Sequence, residues 1–224
     1  MDCRPSRTQY SIAILTLLLS TPLAIPQDAS PARQSSSKSS IKSSASGKTS
    51  TPDLGTVSDS TYRNAFFGFS YKIPFGWVER TEDMRDDGDP GKSMVLLAVF
   101  ERPPEATGNT VNSAVVIAAE SVSAYPGLKT AADYFGPLAE LTTSKGFKVE
   151  NEPYEFAVGT KQLVRGDFSK PTGTLTMRQS SLVMLEKGYV VSFTFIAGSE
   201  DEVSELIEKI SFRPAPQHPA GARK

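Results

Sequence analysis

Histidine and cysteine, the side chains most used for metal binding and nucleophilic catalysis, are almost missing from this sequence. The only histidine is His218, in a proline-rich tail, and the only cysteine is Cys3. A zinc site needs several such ligands, and serine or cysteine nucleophiles commonly need a histidine base. We therefore expect neither chemistry in the folded part, and no bound cofactor. The two common glycine-rich nucleotide-binding patterns are also missing.

Oxygen ligands that could hold calcium occur in the acidic segment 82–92, which contains Asp83, Asp86, Asp87 and Asp89. An EF-hand spacing would require an acid where Arg85 stands and the closing glutamate where Met94 stands. The segment is better interpreted as a solvated hairpin loop, and we predict no metal site there.

Four charged side chains interrupt strand-like segments that are otherwise apolar or small: Glu120, Arg165, Asp167 and Arg178. Strand alternation places Arg165 and Asp167 on one face. Arg178 could face Arg165 across the turn at 169–173, in a register that the sequence does not fix. A surface ion-pair ladder is the simpler interpretation, and a polar pocket for an anionic ligand is the alternative. Acid/base catalysis would need two acids to converge.

Aromatic side chains are dense in residues 66–77. Phe67, Phe69 and Tyr71 alternate with small or polar residues, which predicts a strand with its aromatic face in the core. Trp77 follows a turn, and we predict that it lies at the rim of a pocket. The candidate binding residues are therefore Trp77 and the four charged residues above.

The N-terminus has the parts of a secretory signal peptide, assigned to residues 1–25. Arg4 and Arg7 precede the apolar run 12–19, and small residues follow up to Ala24. The run is short for a membrane span and Pro22 interrupts it, although an uncleaved anchor is the alternative. We expect export to a periplasmic or extracellular location, with no stable membrane span after cleavage.

Composition divides the rest of the chain into three parts. Residues 26–59 are rich in serine and lysine, so they cannot bury enough apolar surface to fold and are expected to form a flexible linker. Residues 60–214 are expected to form one domain, and 215–224 a flexible tail. The domain carries 16 Lys+Arg and 21 Asp+Glu, a net charge of −5, which does not favour nucleic acid as a partner.

The elements of the domain predict an α+β fold. Residues 94–100 and 115–119 are apolar at both parities, which is typical of strands covered on both faces. A helix is predicted from Thr130, capped by Asp133, interrupted at Pro137 and ended by Gly146.

The second half continues with strands and a helix. Strand-like segments follow at 147–158, 160–168, 174–186 and 188–197, and their short links predict antiparallel pairing. The closing helix begins at a Ser199 capping box.

Three parts of the domain resemble PsbP-like domains. They are the strand that ends in an Ile-Pro-x-x-Trp turn at residues 67–77, the strand at 187–191, and the closing helix that runs into residues 210–212. The resemblance implies an αβα sandwich with a largely antiparallel sheet and helices packed on its faces. Family members include an extrinsic subunit of the photosystem II oxygen-evolving complex, a nuclear transport factor that binds the Ran GTPase, and uncharacterised exported bacterial proteins. The metal-related histidines of the plant protein have no counterpart here.

Three functions remain open at this point. The first is an exported, non-catalytic binding or accessory domain with an unknown protein partner, which the resemblance favours. The second is an enzyme that uses carboxylates or lysine, and it requires a cleft with two acids of separated pKa. The third is a carrier of a small apolar ligand, and it requires an apolar cavity.

Overall fold

The computed structural model describes residues 52–85 and 93–212. The predicted signal peptide, most of the predicted linker and the tail lie outside these residues, as do Asp86, Asp87, Asp89 and His218. Within the described ranges, no helix is long and apolar enough to cross a membrane.

Two antiparallel sheets and two α-helices make up the described part of the chain. The four-stranded sheet has the order β1-β2-β3-β12, and the eight-stranded sheet has the order β4-β5-β6-β11-β10-β9-β7, with β8 also paired to β9. The strands are β1 Thr56–Ser58, β2 Thr61–Asn64, β3 Phe69–Lys72, β4 Val78–Glu79, β5 Ser93–Phe100, β6 Ala114–Ser121, β7 Lys148–Val149, β8 Tyr154–Val158, β9 Lys161–Thr172, β10 Leu175–Glu186, β11 Tyr189–Ala197 and β12 Ile210–Phe212. The helices are α1 Phe135–Ser144 and α2 Glu200–Ile207.

The central strands β5 and β6 are buried on both faces, as the sequence predicted. On one face Leu97 and Ile117 join a core with β3, α2 and β12. On the opposite face Val95 of β5 and Val116 of β6 join a second core cluster with Met84 and Ile196. Burial on both faces explains why these strands are apolar at both parities.

The predicted α+β class and largely antiparallel sheet are confirmed in this broad form. The αβα sandwich is not a clear description, because one face of the large sheet is covered mainly by the small sheet, with α2 beside it. Among the described residues, α1 is the α-helix that packs on the other face, where Phe135 and Leu138 contact the core side of β10 and β11.

The first helix begins later than the sequence predicted. Residues Ala132–Tyr134 form a 3-10 turn, and the α-helix starts at Phe135. The Asp133 carboxylate accepts hydrogen bonds from the amides of Lys129 (2.9 Å) and Thr130 (2.7 Å), so it caps the turn rather than the helix. Pro137 lies in the first turn of α1, where its missing N–H is not needed, and causes no break.

The strand predicted at 147–158 is interrupted. β7 and β8 both pair with β9, and residues 150–153 leave the ladder between them. Pro153 has no amide hydrogen to donate to a ladder. β9 is longer than predicted and reaches Thr172.

The small sheet begins before the predicted domain boundary at residue 60. β1 and β2 form a hairpin with Ser58 opposite Thr61. Asp59 and Ser60 make the turn, both with positive φ (50° and 51°), which matches the twist of a two-residue hairpin. A boundary at residue 60 therefore divides this hairpin, and four residues before β1 are also described.

The contact between β9 and α1 gives a stability prediction. A methyl group added at Gly166 would lie 2.5 Å from a ring carbon of Phe135. We expect Gly166→Ala to lower the free energy of unfolding in urea by about 1–3 kcal/mol. Gly136→Ala is the control, because its added methyl group meets nothing within 4 Å. Equal effects of the two substitutions would contradict this packing.

Candidate binding cleft

A cleft of about 370 Å³ lies where β9 and β10 extend past the core, between the segment 150–154 and the start of α2. Three of the five predicted site residues line it, namely Arg165, Asp167 and Arg178. Other lining residues are Glu150, Asn151, Tyr154, Phe168, Gln179, Ser180, Glu200 and Val203. The lining is therefore mostly charged and amide groups.

The strand register decides which side chains share the floor of the cleft. Asp167 lies opposite Ser180, Arg165 opposite Leu182, and Arg178 opposite Ser169. Directly paired residues point to the same face of a sheet, so all three predicted residues project on the α2 side. The register that the sequence left open is now fixed: the hairpin turn lies at 173–174, so Arg178 is four positions away from direct pairing with Arg165.

The Asp167 carboxylate is the most connected group in the cleft. One oxygen accepts hydrogen bonds from Arg165 Nε (2.8 Å) and from the Ser180 hydroxyl. The other accepts from Asn151 Nδ2 (3.0 Å) and from the Tyr154 hydroxyl (3.1 Å). Two ionic partners on one strand, at 14% and 18% side-chain exposure, thus form a half-buried network rather than an open surface ladder.

These bonds keep Asp167 ionised. Burial alone raises the pKa of its carboxyl, but the donors Asn151, Ser180 and Arg165 outweigh burial and hold that pKa below its ordinary value. Burial also raises the pKa of the neighbouring Tyr154 phenol. Tyr154 therefore stays protonated and remains a donor to Asp167 at neutral pH.

Arg165 is held in place from two sides. Its Nε donates to Asp167, and its guanidinium carbon lies 5.0 Å from the ring centroid of Phe156. Within residues 52–85 and 93–212, its two terminal nitrogens donate to no protein acceptor. The guanidinium is thus oriented by the protein without being fully paired.

The remaining charges lie on the walls. Arg178 forms an ion pair with Glu200 at the start of α2, with 3.1 Å between Nη1 and Oε1. Glu150 accepts a hydrogen bond from the Ser169 hydroxyl. The Glu150 amide donates to the Asp167 carbonyl at 2.9 Å, which anchors the wall to β9.

Sequence reasoning missed the polar partners of Asp167. Asn151 and Tyr154 flank Pro153, in a segment assigned to a continuous strand. Ser180 carries no pattern that separates it from other strand serines. Pro153 was the signal available in the sequence, because a proline cannot donate to a strand ladder. It indicates that the chain leaves the sheet there, so that the segment 150–154 can lie over β9.

Glu120 lies outside the cleft. It is 3% exposed, on the α1 face, and accepts hydrogen bonds from the hydroxyls of Tyr134 (2.8 Å) and Tyr125. Burial raises the pKa of its carboxyl, and the two tyrosine donors only partly oppose this. Glu120 is therefore a buried core group, and the prediction that it belongs with the binding residues is not supported by its position.

Trp77 is also remote from the cleft. It is half-buried and packs against the core between the two sheets. Its amide closes the turn to the Pro74 carbonyl at 3.3 Å, with Gly76 at φ 81°. Phe75 at the tip of this turn is fully exposed, so the exposed aromatic of the motif is Phe75 and not Trp77.

The arrangement does not favour acid/base catalysis. Asp167 and Glu120 have pKa values shifted in opposite directions, but strand alternation puts them on opposite faces of the sheet. No group of three or more potential metal ligands occurs among the described residues. Asp83 of the acidic segment forms an ion pair with Arg80 (3.0 Å).

Comparisons with known proteins give distant structural likenesses. No family model and no curated protein matches the chain. LpqN of Mycobacterium tuberculosis, described as involved in cell envelope biogenesis, is 13% identical, with 65% of this chain and 83% of that chain covered and a TM-score of 0.39. A mutant of the protein Mog1 is 11% identical, with coverages of 63% and 79% and a TM-score of 0.38.

A third solved structure comes from Bacteroides thetaiotaomicron. It is 15% identical with a TM-score of 0.35, and the match covers 66% of this chain and 46% of that chain, so this chain spans about half of its length. Likenesses at these identities and TM-scores assign neither a family nor a function to this chain.

Loss of the Asp167 charge gives a pH-dependent prediction. Because the folded state lowers the pKa of Asp167, the ionised carboxylate adds stability above its unfolded pKa, and this is lost as pH falls. We expect Asp167→Asn to lower the unfolding free energy at neutral pH by about 1–3 kcal/mol. The difference from the unsubstituted chain should shrink between about pH 5 and pH 3 in urea titrations. A difference that does not change with pH would contradict an ionised Asp167.

Glu120 should give the opposite pH dependence. Its raised pKa makes the folded state favour the protonated form, so its contribution is full below the unfolded pKa and declines as pH rises through the folded value. Relative to Glu120→Gln, the unsubstituted chain should therefore lose stability as pH rises above the ordinary glutamate pKa of about 4.3. Tyr134→Phe, which removes one donor, should enlarge this loss. Parallel stability curves for the chain and Glu120→Gln would refute the assignment.

Proposed function

We propose that this chain is an exported, non-catalytic binding domain that recognises a protein partner through the cleft between β9, β10, the segment 150–154 and α2. In this proposal residues 1–25 direct export, and the predicted linker tethers the domain up to about residue 51, because β1 at Thr56–Ser58 already belongs to the small sheet. The domain runs on to about residue 214, followed by the tail at 215–224. The compartment is periplasmic or extracellular.

One observation carries the proposal: a half-buried guanidinium, Arg165, is fixed by Asp167 and Phe156, while its terminal nitrogens have no acceptor among the described residues. Orienting a charged group in a concave site costs side-chain entropy and desolvation. A preorganised donor of this kind lowers the cost of binding a partner, because its geometry is set before association.

The two other functions have less support. A carboxylate enzyme would need two acids with separated pKa values in one cleft. The two acids whose pKa values shift in opposite directions, Asp167 and Glu120, lie on opposite faces of the sheet. A carrier of apolar ligands would need an apolar cavity, whereas this cleft is lined by Arg165, Arg178 and three carboxylates.

Site-specific photo-crosslinking in cells that produce this protein tests the proposed function. A photoreactive amino acid is placed at Glu152, which is exposed in the wall segment, and in a control chain at Glu140, which is exposed on α1 on the opposite face. We expect one predominant protein adduct from position 152, identified by mass spectrometry, and its absence from position 140. Identical adducts from both positions, or none from either, would count against recognition through the cleft.

A further inference from the structure

Arg165 has more donors than the protein uses. A guanidinium carries five N–H donors, and the hydrogen bond from Nε to Asp167 at 2.8 Å uses one of them. Within the described ranges, the four N–H groups of the two terminal nitrogens have no protein acceptor. Arg165 lines the cleft and is 14% exposed, so these donors border a concave and partly dehydrated space.

Asp167 cannot complete the pairing by turning toward those nitrogens. Its oxygens are already engaged by Ser180, Asn151 and Tyr154 in addition to Arg165. The carboxylate therefore fixes the guanidinium edge-on through Nε, and Phe156 fixes its plane. What remains is a planar fork of two nitrogens, which matches the two oxygens of a carboxylate.

The other charges of the cleft narrow the class of ligand. Two guanidiniums and the three carboxylates of Asp167, Glu150 and Glu200 line it, so the site is not net cationic. A phosphate dianion would be repelled by the wall carboxylates Glu150 and Glu200. A carboxylate carries a single negative charge, so its repulsion from the same groups is weaker. The wall residues Glu150 and Glu200 would also attract a cation on the same ligand.

From these observations we infer that the cleft binds a carboxylate of a peptide. The two terminal nitrogens of Arg165 donate to its two oxygens, and a cationic side chain of the same peptide lies against Glu150 and Glu200. The inference rests on the proposed binding function and names the chemistry that it recognises. A peptide C-terminus and an acidic side chain both offer this group.

Calorimetric titration of the purified chain with defined peptides tests the inference. The probes are acetyl-Gly-Gly-Lys as the free acid, the same peptide as its C-terminal amide, an amidated acetyl-Lys-Gly-Asp-Gly, and inorganic phosphate. We expect at least one carboxylate peptide to bind about tenfold more tightly than the amide without an acid, and more tightly than phosphate. Preference between the two carboxylate peptides distinguishes a chain terminus from an acidic side chain.

Substitutions assign the binding to Arg165. Arg165→Gln should weaken the carboxylate peptide about tenfold, and Arg165→Lys should restore only part of it, because lysine lacks the planar fork. Arg63→Gln is the matched control, since Arg63 is an exposed arginine on the small sheet that bonds to Ser58, and it should leave affinity unchanged. In the unsubstituted chain, the Arg165 Nε–H resonance should shift on adding the free acid, which needs no substitution.

The outcomes separate this inference from the proposed function. Equal affinity for the free acids and the amide, tighter binding of phosphate, or full affinity in Arg165→Gln would overturn the carboxylate assignment. If the photoreactive residue at position 152 nevertheless crosslinks to a single protein in cells, the proposed binding function stands. The partner is then recognised through a group other than a carboxylate. Carboxylate-selective binding that depends on Arg165 supports the inference even if no cellular adduct is found.

Discussion

The cleft depends on one half-buried carboxylate that the surrounding chain keeps ionised. Burial raises the pKa of the Asp167 carboxyl, but hydrogen bonds from Asn151, Ser180 and Arg165 outweigh burial and hold that pKa below its ordinary value. Because both oxygens are occupied, Asp167 orients Arg165 without fully pairing it. The same bonds tie the segment 150–154 to the long β9–β10 hairpin, so the wall and the floor of the cleft share one anchor.

The β9–β10 hairpin carries polar side chains toward its turn because the strands there extend past the small sheet and α2. Leu163 of β9 and Leu182 of β10 still pack in the core under the small sheet and α2, and the polar side chains begin with Arg165, opposite Leu182. At the level of Ser180 and Arg178 the lining changes to polar groups between the segment 150–154 and the start of α2. The change from core to cleft thus follows where the covering elements end.

Sequence reasoning predicted the local elements better than their arrangement. The doubly apolar β5 and β6, and the Ser199 cap of α2, carry signals in the residues themselves, and the structure confirms them. The helix start at Phe135 was missed because Asp133 caps a 3-10 turn with the same side-chain pattern. The site was predicted in part, since alternation joined Arg165 to Asp167, whereas the exclusion of Glu120 depends on register and layers, which are set by contacts far apart in sequence.

The central claim is that Asp167 is held as a carboxylate by its donors, and its own titration tests this most directly. Carbon-13 NMR of the side-chain carboxyl, followed against pH in the folded chain, reports the pKa of this single group. The account predicts a midpoint below the ordinary aspartate value of about 3.9. A midpoint at or above that value would contradict it, because burial would then outweigh the hydrogen bonds and Arg165 would lack its fixed anionic partner.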